Sequence, residues 1–218
     1  MALLDTLFNS LESSTADDGK KTVDVLSHPT VPWQDREPFS IIQSDATNGP
    51  WVAGGACLRW YQNQPVSDSD IDIFCKNAKQ AAEVIERIKS YGRYVVKFTS
   101  ENATTLQYRS PASDPVPTQW IMQVITKRYF ESMEEVISSF DLSVCQIATD
   151  GEQWVLGDYT ARDIREKNLR MQDVLHADAV KRLVKYWVYG YRPVEGLLDR
   201  IKDNPESRWA FEGGEDYR

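Results

Sequence analysis

Two aspartates separated by a single residue are the most chemically suggestive feature of this 218-residue sequence. Asp70 and Asp72 belong to the short apolar run 70–74. Successive side chains of a β-strand point to opposite faces, so the two carboxylates share one face, and Ile71 and Ile73 point into a core. Adjacent like charges repel unless a cation lies between them, and carboxylates are preferred ligands of hard divalent ions such as Mg²⁺. The pattern predicts half of a two-metal site.

A glycine pair precedes these acids. Gly54 and Gly55 follow the apolar run 51–53, and a helix is predicted at 56–62. Glycines adopt conformations closed to other residues and let a ligand approach the backbone, while the free N–H groups that begin a helix suit a phosphate. Taken alone, the glycines favour a plain tight turn. Together with the downstream acids they predict a phosphate cradle beside a metal-binding strand.

Hydrophobic periodicity and turn residues predict the elements that must hold these residues in place. The periodicity predicts a sheet with helices packed against it. The predicted helices lie at 2–11, 79–90, 132–139, 173–189 and 194–202, and Ser132 and Glu135 are expected to form a capping box. The predicted strands lie at 39–43, 94–99, 104–109, 119–126, 140–147 and 153–156.

The order of a glycine pair, a helix and an Asp-x-Asp strand resembles the DNA polymerase β-like nucleotidyltransferase superfamily. The matching residues are Gly54, Gly55, Asp70 and Asp72. The resemblance implies a third carboxylate on a later strand, and Asp141, which opens the predicted strand 140–147, is its candidate. An ordinary aspartate at the start of a strand is the alternative interpretation of Asp141.

The same resemblance suggests further nucleotide-binding residues. Arg59 is similar to the arginine of the Gly-Gly-x-x-Arg motif of CCA-adding and poly(A) enzymes, although it lies one residue further from Gly54 and Gly55 than that motif requires and Trp60 stands where those enzymes have an acid. The family's serine after the first glycine is absent, so Ser69 is a candidate helper, as is Ser67. A basic residue on a helix after the palm reaches the triphosphate in related enzymes.

Arg182 and Lys185 on the predicted helix 173–189 are the candidates for that last role. Basic residues on a helix face are usually solvated, and for each of the two this interpretation is slightly favoured.

The resemblance implies an α+β nucleotidyltransferase palm, in which a mixed β-sheet is flanked by helices and followed by a small C-terminal helical region. The expected boundaries are an N-terminal helix and irregular lead-in at 1–38, the palm at 39–157 and the helical region at 158–218. The implied reaction moves a nucleoside monophosphate from an NTP such as ATP to a hydroxyl, with release of pyrophosphate. Two Mg²⁺ ions, or Mn²⁺ in their place, would be held by Asp70, Asp72 and Asp141.

Composition restricts the acceptor and the compartment. The net charge is −8 and the pI is about 4.9, whereas proteins that hold nucleic acid through its phosphates are usually basic. The acidic charge therefore favours a small molecule or a protein as the acceptor, and an RNA 3′ end such as that of tRNA is the other possibility. A palm that binds a nucleotide or a partner without turnover is the remaining alternative.

The cysteine pattern and the apolar runs suggest a cytoplasmic protein. The three cysteines lack Cys-x-x-Cys spacing, which favours reduced buried thiols. Neither a signal peptide nor a membrane-spanning run is expected from the sequence.

Overall fold

The computed structural model describes residues 29–66, 69–109, 120–172 and 179–203. The predicted helix 2–11, the loop 110–118 and the beginning of the predicted helix 173–189 lie outside these residues. The chain divides into two compact units. The larger unit contains the described residues up to 140 together with 145–158, and the smaller unit contains 141–144 and the described residues from 159 onward.

The larger unit is built on a mixed sheet. Among the described residues, seven strands form it in the order β3-β4-β5-β2-β1-β6-β7. The strands are β1 Trp51–Ala53, β2 Ile71–Phe74, β3 Tyr94–Thr99, β4 Ala103–Tyr108, β5 Ile121–Ile125, β6 Ile147–Thr149 and β7 Trp154–Leu156. The pair β2 and β5 is parallel and the other pairs are antiparallel. The prediction of a mixed sheet flanked by helices is therefore confirmed.

Four α-helices accompany this sheet in the described part of the larger unit, besides a short 3₁₀ helix at Trp33–Asp35. They are α1 Glu37–Ile42, α2 Gly55–Tyr61, α3 Ala78–Ser90 and α4 Met133–Ser138. Helix α3 begins at Asn77, whose side chain accepts a hydrogen bond from the Gln80 N–H, and it buries Ala81, Val84 and Ile88 at helical spacing. Helix α2 contacts β1, β2 and β6, and α3 contacts β3 and β5.

Helix α4 covers an apolar cluster on one face of the sheet. The cluster consists of Trp51, Ala53, Phe74, Met133, Val136, Ile137 and Ala148. Ser132 caps the helix by accepting a hydrogen bond from the Glu135 N–H, as predicted. The Glu135 carboxylate, however, accepts from the Glu131 N–H, so the return bond of the predicted capping box falls one residue earlier.

The predicted strand 39–43 is wrong, because these residues lie in helix α1, which begins at Glu37 and ends at Ile42. Pro38 occupies the first turn, where its fixed φ suits a helix and its missing N–H costs no hydrogen bond. Phe39 and Ile42, three residues apart, are both buried, and Gln43 ends the helix in a left-handed conformation.

The predicted strand 140–147 is also wrong. Its middle forms a short 3₁₀ turn, Ser143–Cys145, and β6 begins only at Ile147. Leu142 makes a single bridge to Met171. The apolar–polar alternation was misleading because all residues from 141 to 149 are buried, whichever way they point.

The smaller unit is mainly helical in its described residues, as expected for the C-terminal region. It contains α5 Thr160–Glu166, α6 Ala179–Val188 and α7 Leu197–Asp203, with short parallel strands β8 Asn168–Leu169 and β9 Arg192–Pro193.

The described residues include all three cysteines and the helices named above. All three cysteines are buried and free. No helix found there has the length and apolar character needed to cross a bilayer.

Candidate functional site

Asp70 and Asp72 lie on one face of the larger unit's sheet. Asp72 is paired in register with Ala53 of β1 on one side and with Gln123 of β5 on the other. Asp70 immediately precedes β2, and its Oδ2 accepts a hydrogen bond of 2.7 Å from Gln123 Nε2. Since cross-strand partners share a face, Gln123 joins the two acids on the same side of the sheet. Both carboxylates are half-buried.

The glycine pair lies directly against these acids. Gly54 has φ +83° and ψ −133°, a conformation that L-residues rarely adopt. A Cβ on Gly54 would lie 3.0 Å from Cε1 of Phe140 and 4.0 Å from Oδ2 of Asp72. A Cβ on Gly55 would lie 3.1 Å from Oγ of Ser69. Phe140 and Ser69 therefore leave little room for a Cβ at Gly54 and Gly55, respectively, whereas Asp72 lies at ordinary van der Waals distance from a Cβ on Gly54.

The backbone hydrogen bonds around Gly54 define the start of α2. The Gly54 N–H donates to the Ile147 carbonyl at 2.9 Å, and the Gly54 carbonyl accepts from the Leu58 N–H at 3.0 Å. The latter is the first bond of the helix ladder, so the N–H groups of residues 55–57 have no partner within the helix. This is the local geometry that the sequence predicted for a phosphate cradle.

Replacing Gly54 by Ala is expected to destabilise the larger unit by about 2 kcal/mol, through backbone strain and overlap with the Phe140 ring. Gly92→Ala is the matched control, because Gly92 also has a positive φ but its added Cβ meets nothing within 4 Å. It should cost about 1 kcal/mol from strain alone. Urea unfolding of both variants gives the difference, and equal losses would show that contact with Phe140 contributes nothing.

The Asp72 carboxylate also affects Cys57, a buried residue of α2. Burial raises the pKa of the Cys57 thiol well above its usual range, and the Asp72 carboxylate raises it further. The thiol donates to the Val52 carbonyl at 3.3 Å. Cys57 therefore stays neutral and adds no charge beside the two acids.

Arg59 lies in the last turn of α2, where its Nη1 donates to the Pro65 carbonyl at 3.4 Å. Its nucleotide-binding role stays a prediction.

Asp141 belongs to the smaller unit, where it pairs with a residue that the sequence assigned to a different role. Its Oδ1 lies 2.7 Å from Nη1 of Arg182 on α6, the predicted phosphate ligand. The residue is 5% exposed, and its Oδ2 is buried without a hydrogen-bond partner. Its carbonyl accepts from the Gln172 N–H at 2.8 Å. Lys185, in the last turn of α6, is exposed and lies 5.9 Å from the ring centre of Tyr186.

The donor chemistry of the larger unit's acids fits a divalent cation, although the described residues contain no group of three or more His, Cys, Asp or Glu placed to hold a metal. Asp70 and Asp72 offer hard carboxylate oxygens on one face, and Gln123 fixes the orientation of Asp70.

The smaller unit contains a buried polar network that no local sequence pattern predicts. Ser143 Oγ donates to Asp163 Oδ2 at 2.6 Å, and Arg170 Nε donates to the same oxygen at 3.1 Å. The Ser143 N–H donates to the Arg170 carbonyl, and the Thr160 hydroxyl donates to the Ser143 carbonyl. These bonds hold the 141–144 segment to α5 and to the strand that follows it.

Sequence reasoning also missed two residues of this site: Gln123, which bonds to Asp70, and Phe140, which lies against Gly54. Gln123 carried a weak signal, as a polar residue within an otherwise apolar predicted strand, and Phe140 carried none.

Comparison with solved structures defines the fold class. A tRNA-processing enzyme in its apo form I superposes with a TM-score of 0.57 at 16% identity, covering 82% of this chain and 51% of that one. A CCA-adding enzyme in apo form I gives 0.57 at 18%, covering 84% and 44%. The Thermotoga maritima CCA-adding enzyme complexed with tRNA gives 0.51 at 15%, covering 87% and 50%. The chain spans about half the length of these enzymes, and its fold is that of their nucleotidyltransferase palm.

The match to a sequence family classifies the chain more narrowly than the fold does. Residues 33–167 match the Gabija anti-defense 2 (Gad2) family, and since this is more than half of the chain, the chain belongs to that family. A curated relative, Gabija anti-defense 2 of Bacillus phage SPbetaL7, is 24% identical over 110 residues. The matched part makes up 50% of this chain and 24% of the relative, so it spans about a quarter of the relative's length.

Proposed function

We propose that this protein is a metal-dependent nucleotidyltransferase that moves a nucleoside monophosphate from an NTP to a hydroxyl acceptor and releases pyrophosphate. The observation that carries the proposal is the Asp72 carboxylate lying beside the Gly54 backbone, on the sheet face that Asp72 shares with Asp70. Carboxylate oxygens are suitable ligands for a divalent cation and the N–H groups that begin a helix are suitable donors to a phosphate, so this arrangement supports the proposal.

In the proposed reaction the acceptor oxygen forms a bond to the α-phosphorus, and the bond to the bridging oxygen of the β-phosphate breaks. Pyrophosphate leaves with that electron pair, and the acceptor proton passes to solvent. Asp70 and Asp72 would hold Mg²⁺ or Mn²⁺, which when bound neutralises charge on the triphosphate. Gln123 keeps Asp70 oriented, and the backbone of Gly54 and Gly55, helped by Ser69, receives the phosphates.

The proposal keeps Asp141 as the third carboxylate and Arg59, Arg182 and Lys185 as phosphate contacts. Alanine variants of each, tested separately for nucleotide affinity and for transfer rate, assign these roles independently of the roles of Asp70 and Asp72. We further propose that nucleotidyl transfer is the means of the anti-defence against Gabija for which the family is named. The acceptor is then a small molecule, a protein or an RNA 3′ end.

A palm that binds a nucleotide or a partner without turnover is the second candidate. One observation favours it: the predicted third carboxylate, Asp141, is engaged by Arg182.

The test incubates the protein with each α-³²P-labelled NTP and Mg²⁺, in the presence of total RNA, protein lysate or a metabolite extract. We expect label in one acceptor pool, abolished by EDTA, and a thermal shift with NTP that requires Mg²⁺. A thermal shift without labelling of any pool would instead support the non-catalytic palm. If neither a thermal shift nor labelling occurs, nucleotidyl transfer and nucleotide binding both fail, and of the two candidates only a partner-binding palm is left.

A further inference from the structure

The edge strand β3 contains an irregularity that turns one aromatic side chain to the other side of the sheet. Val96 is paired with Leu106 of β4, whereas Phe98 is paired with Thr105, so Lys97 is an extra residue in the ladder. In a regular strand Val96 and Phe98 would share a face. The bulge places them on opposite faces, and bulges of this kind re-aim side chains near active sites.

The bulge directs Phe98 to the face that carries the acids. Phe98 pairs with Thr105, Thr105 pairs with Gln123, and Gln123 pairs with Asp72, so these four side chains form one row across the strands. We call it the acidic-face row. Strands in a sheet lie about 4.8 Å apart, so Phe98 is about 14 Å from Asp72, three strands away. The Phe98 side chain is 62% exposed.

The side chains that β4 and β5 present on this face are uncharged. On β4 and β5 the side chains on this face are Ala103, Thr105, Gln107, Ile121, Gln123 and Ile125, and none is basic. A polyanionic acceptor would find no phosphate neutralisation there, and the net charge of −8 would repel it. A neutral or basic polypeptide is complementary both to this face and to the charge of the chain.

We propose that the acidic-face row is the docking surface for the acceptor, and that the acceptor is an extended polypeptide segment whose side-chain hydroxyl is modified. This inference rests on the proposed nucleotidyl transfer. An extended chain advances about 3.3 Å per residue, so the span of about 14 Å corresponds to four residues, and residues four apart share a face. The acceptor therefore carries a Ser, Thr or Tyr four positions from an apolar side chain that packs on Phe98.

The chemical step is the one given above with a polypeptide acceptor. The side-chain oxygen gains a bond to the α-phosphorus and becomes a phosphodiester. Pyrophosphate leaves with the electron pair of the broken bond, and the hydroxyl proton is released to solvent.

Two synthetic peptides built from Lys and Val test the spacing. Both contain a single Ser; one has Leu four residues away on each side, and the other has Leu three residues away on each side. With α-³²P-labelled NTP and Mg²⁺, we expect the first peptide to be labelled about tenfold faster than the second, because only it brings Leu to Phe98.

Substitution at the bulge tests the surface itself. Phe98→Ser is expected to reduce labelling of the first peptide about tenfold while leaving the NTP-dependent thermal shift unchanged. Val96→Ser is the matched control on the same strand, since Val96 is 44% exposed but faces the other side, and labelling should not change.

The outcomes separate this inference from the function on which it rests. Labelling of RNA or of a small molecule, but of neither peptide, overturns the polypeptide acceptor and supports nucleotidyl transfer. Equal labelling of both peptides, or no effect of Phe98→Ser, overturns the docking surface. The absence of both NTP binding and any labelling overturns the proposed function, and this inference with it.

Discussion

Asn in place of Asp72 is expected to lower the rate of nucleotidyl transfer by about a thousandfold, equivalent to about 4 kcal/mol of transition-state stabilisation. The substitution keeps the size of the side chain beside Gly54 and removes only its charge. That charge is needed to hold a divalent ion and to balance the triphosphate. The measurement is the initial rate of pyrophosphate release with saturating NTP and Mg²⁺.

The control for this prediction is Glu83→Gln, which removes an exposed acid from α3 and should leave the rate unchanged. Asp72→Asn should fold at least as well as the wild type without metal, because it relieves repulsion between two acids on one face. It should also lose any stabilisation by Mg²⁺. A variant that keeps both full transfer and Mg²⁺-dependent stabilisation would remove Asp72 from the site.

Met in place of Arg170 is expected to reduce the free energy of unfolding by about 3 kcal/mol. The Asp163 side chain is fully buried, its Oδ1 has no hydrogen-bond partner, and its Oδ2 is shared by Ser143 and Arg170. Without the guanidinium, the buried Asp163 carboxylate accepts a hydrogen bond only from the neutral Ser143 hydroxyl. The loss should appear in denaturant unfolding and as faster amide exchange in α5.

A second substitution distinguishes a charge effect from a packing effect, since Arg170 also lies 4.4 Å from the ring centre of Tyr159. Asp163→Asn added to Arg170→Met removes the stranded charge, so the double variant should be more stable than Arg170→Met alone. Glu166 is on the same helix as Asp163, but its pair with Arg162 is exposed, so Glu166→Gln should have little effect on stability. If the double variant is the less stable, packing on Tyr159 is the main contribution of Arg170.

The parts of the fold that were predictable depend on local signals. Helix α3 follows from apolar positions at helical spacing, and β3 and β4 follow from β-branched and aromatic runs around a turn. The strand predicted at 140–147 is wrong because alternation indicates a strand only when one face of it is exposed, and residues 141–149 are all buried. Its backbone instead bonds to residues 160 and 170, which no local pattern reveals.

The candidate site divides in the same way. The glycines and the Asp-x-Asp pair are close in sequence, so their types and spacing were enough to place them on one turn and one strand. The partners of those acids come from distant segments, as with Gln123 bonding to Asp70 and Arg182 bonding to Asp141. Side-chain partners of this kind are set by tertiary packing, and the roles assigned to these residues stay predictions.

The grouping of 141–144 with the smaller unit has a consequence for how this protein can evolve. A gene fragment ending at residue 158 would encode Leu142 and Val144, both fully buried, without the residues around 160–171 that surround Ser143 and Leu142. The palm is therefore not a cassette that recombination can move alone. We expect the two units to be inherited as one piece.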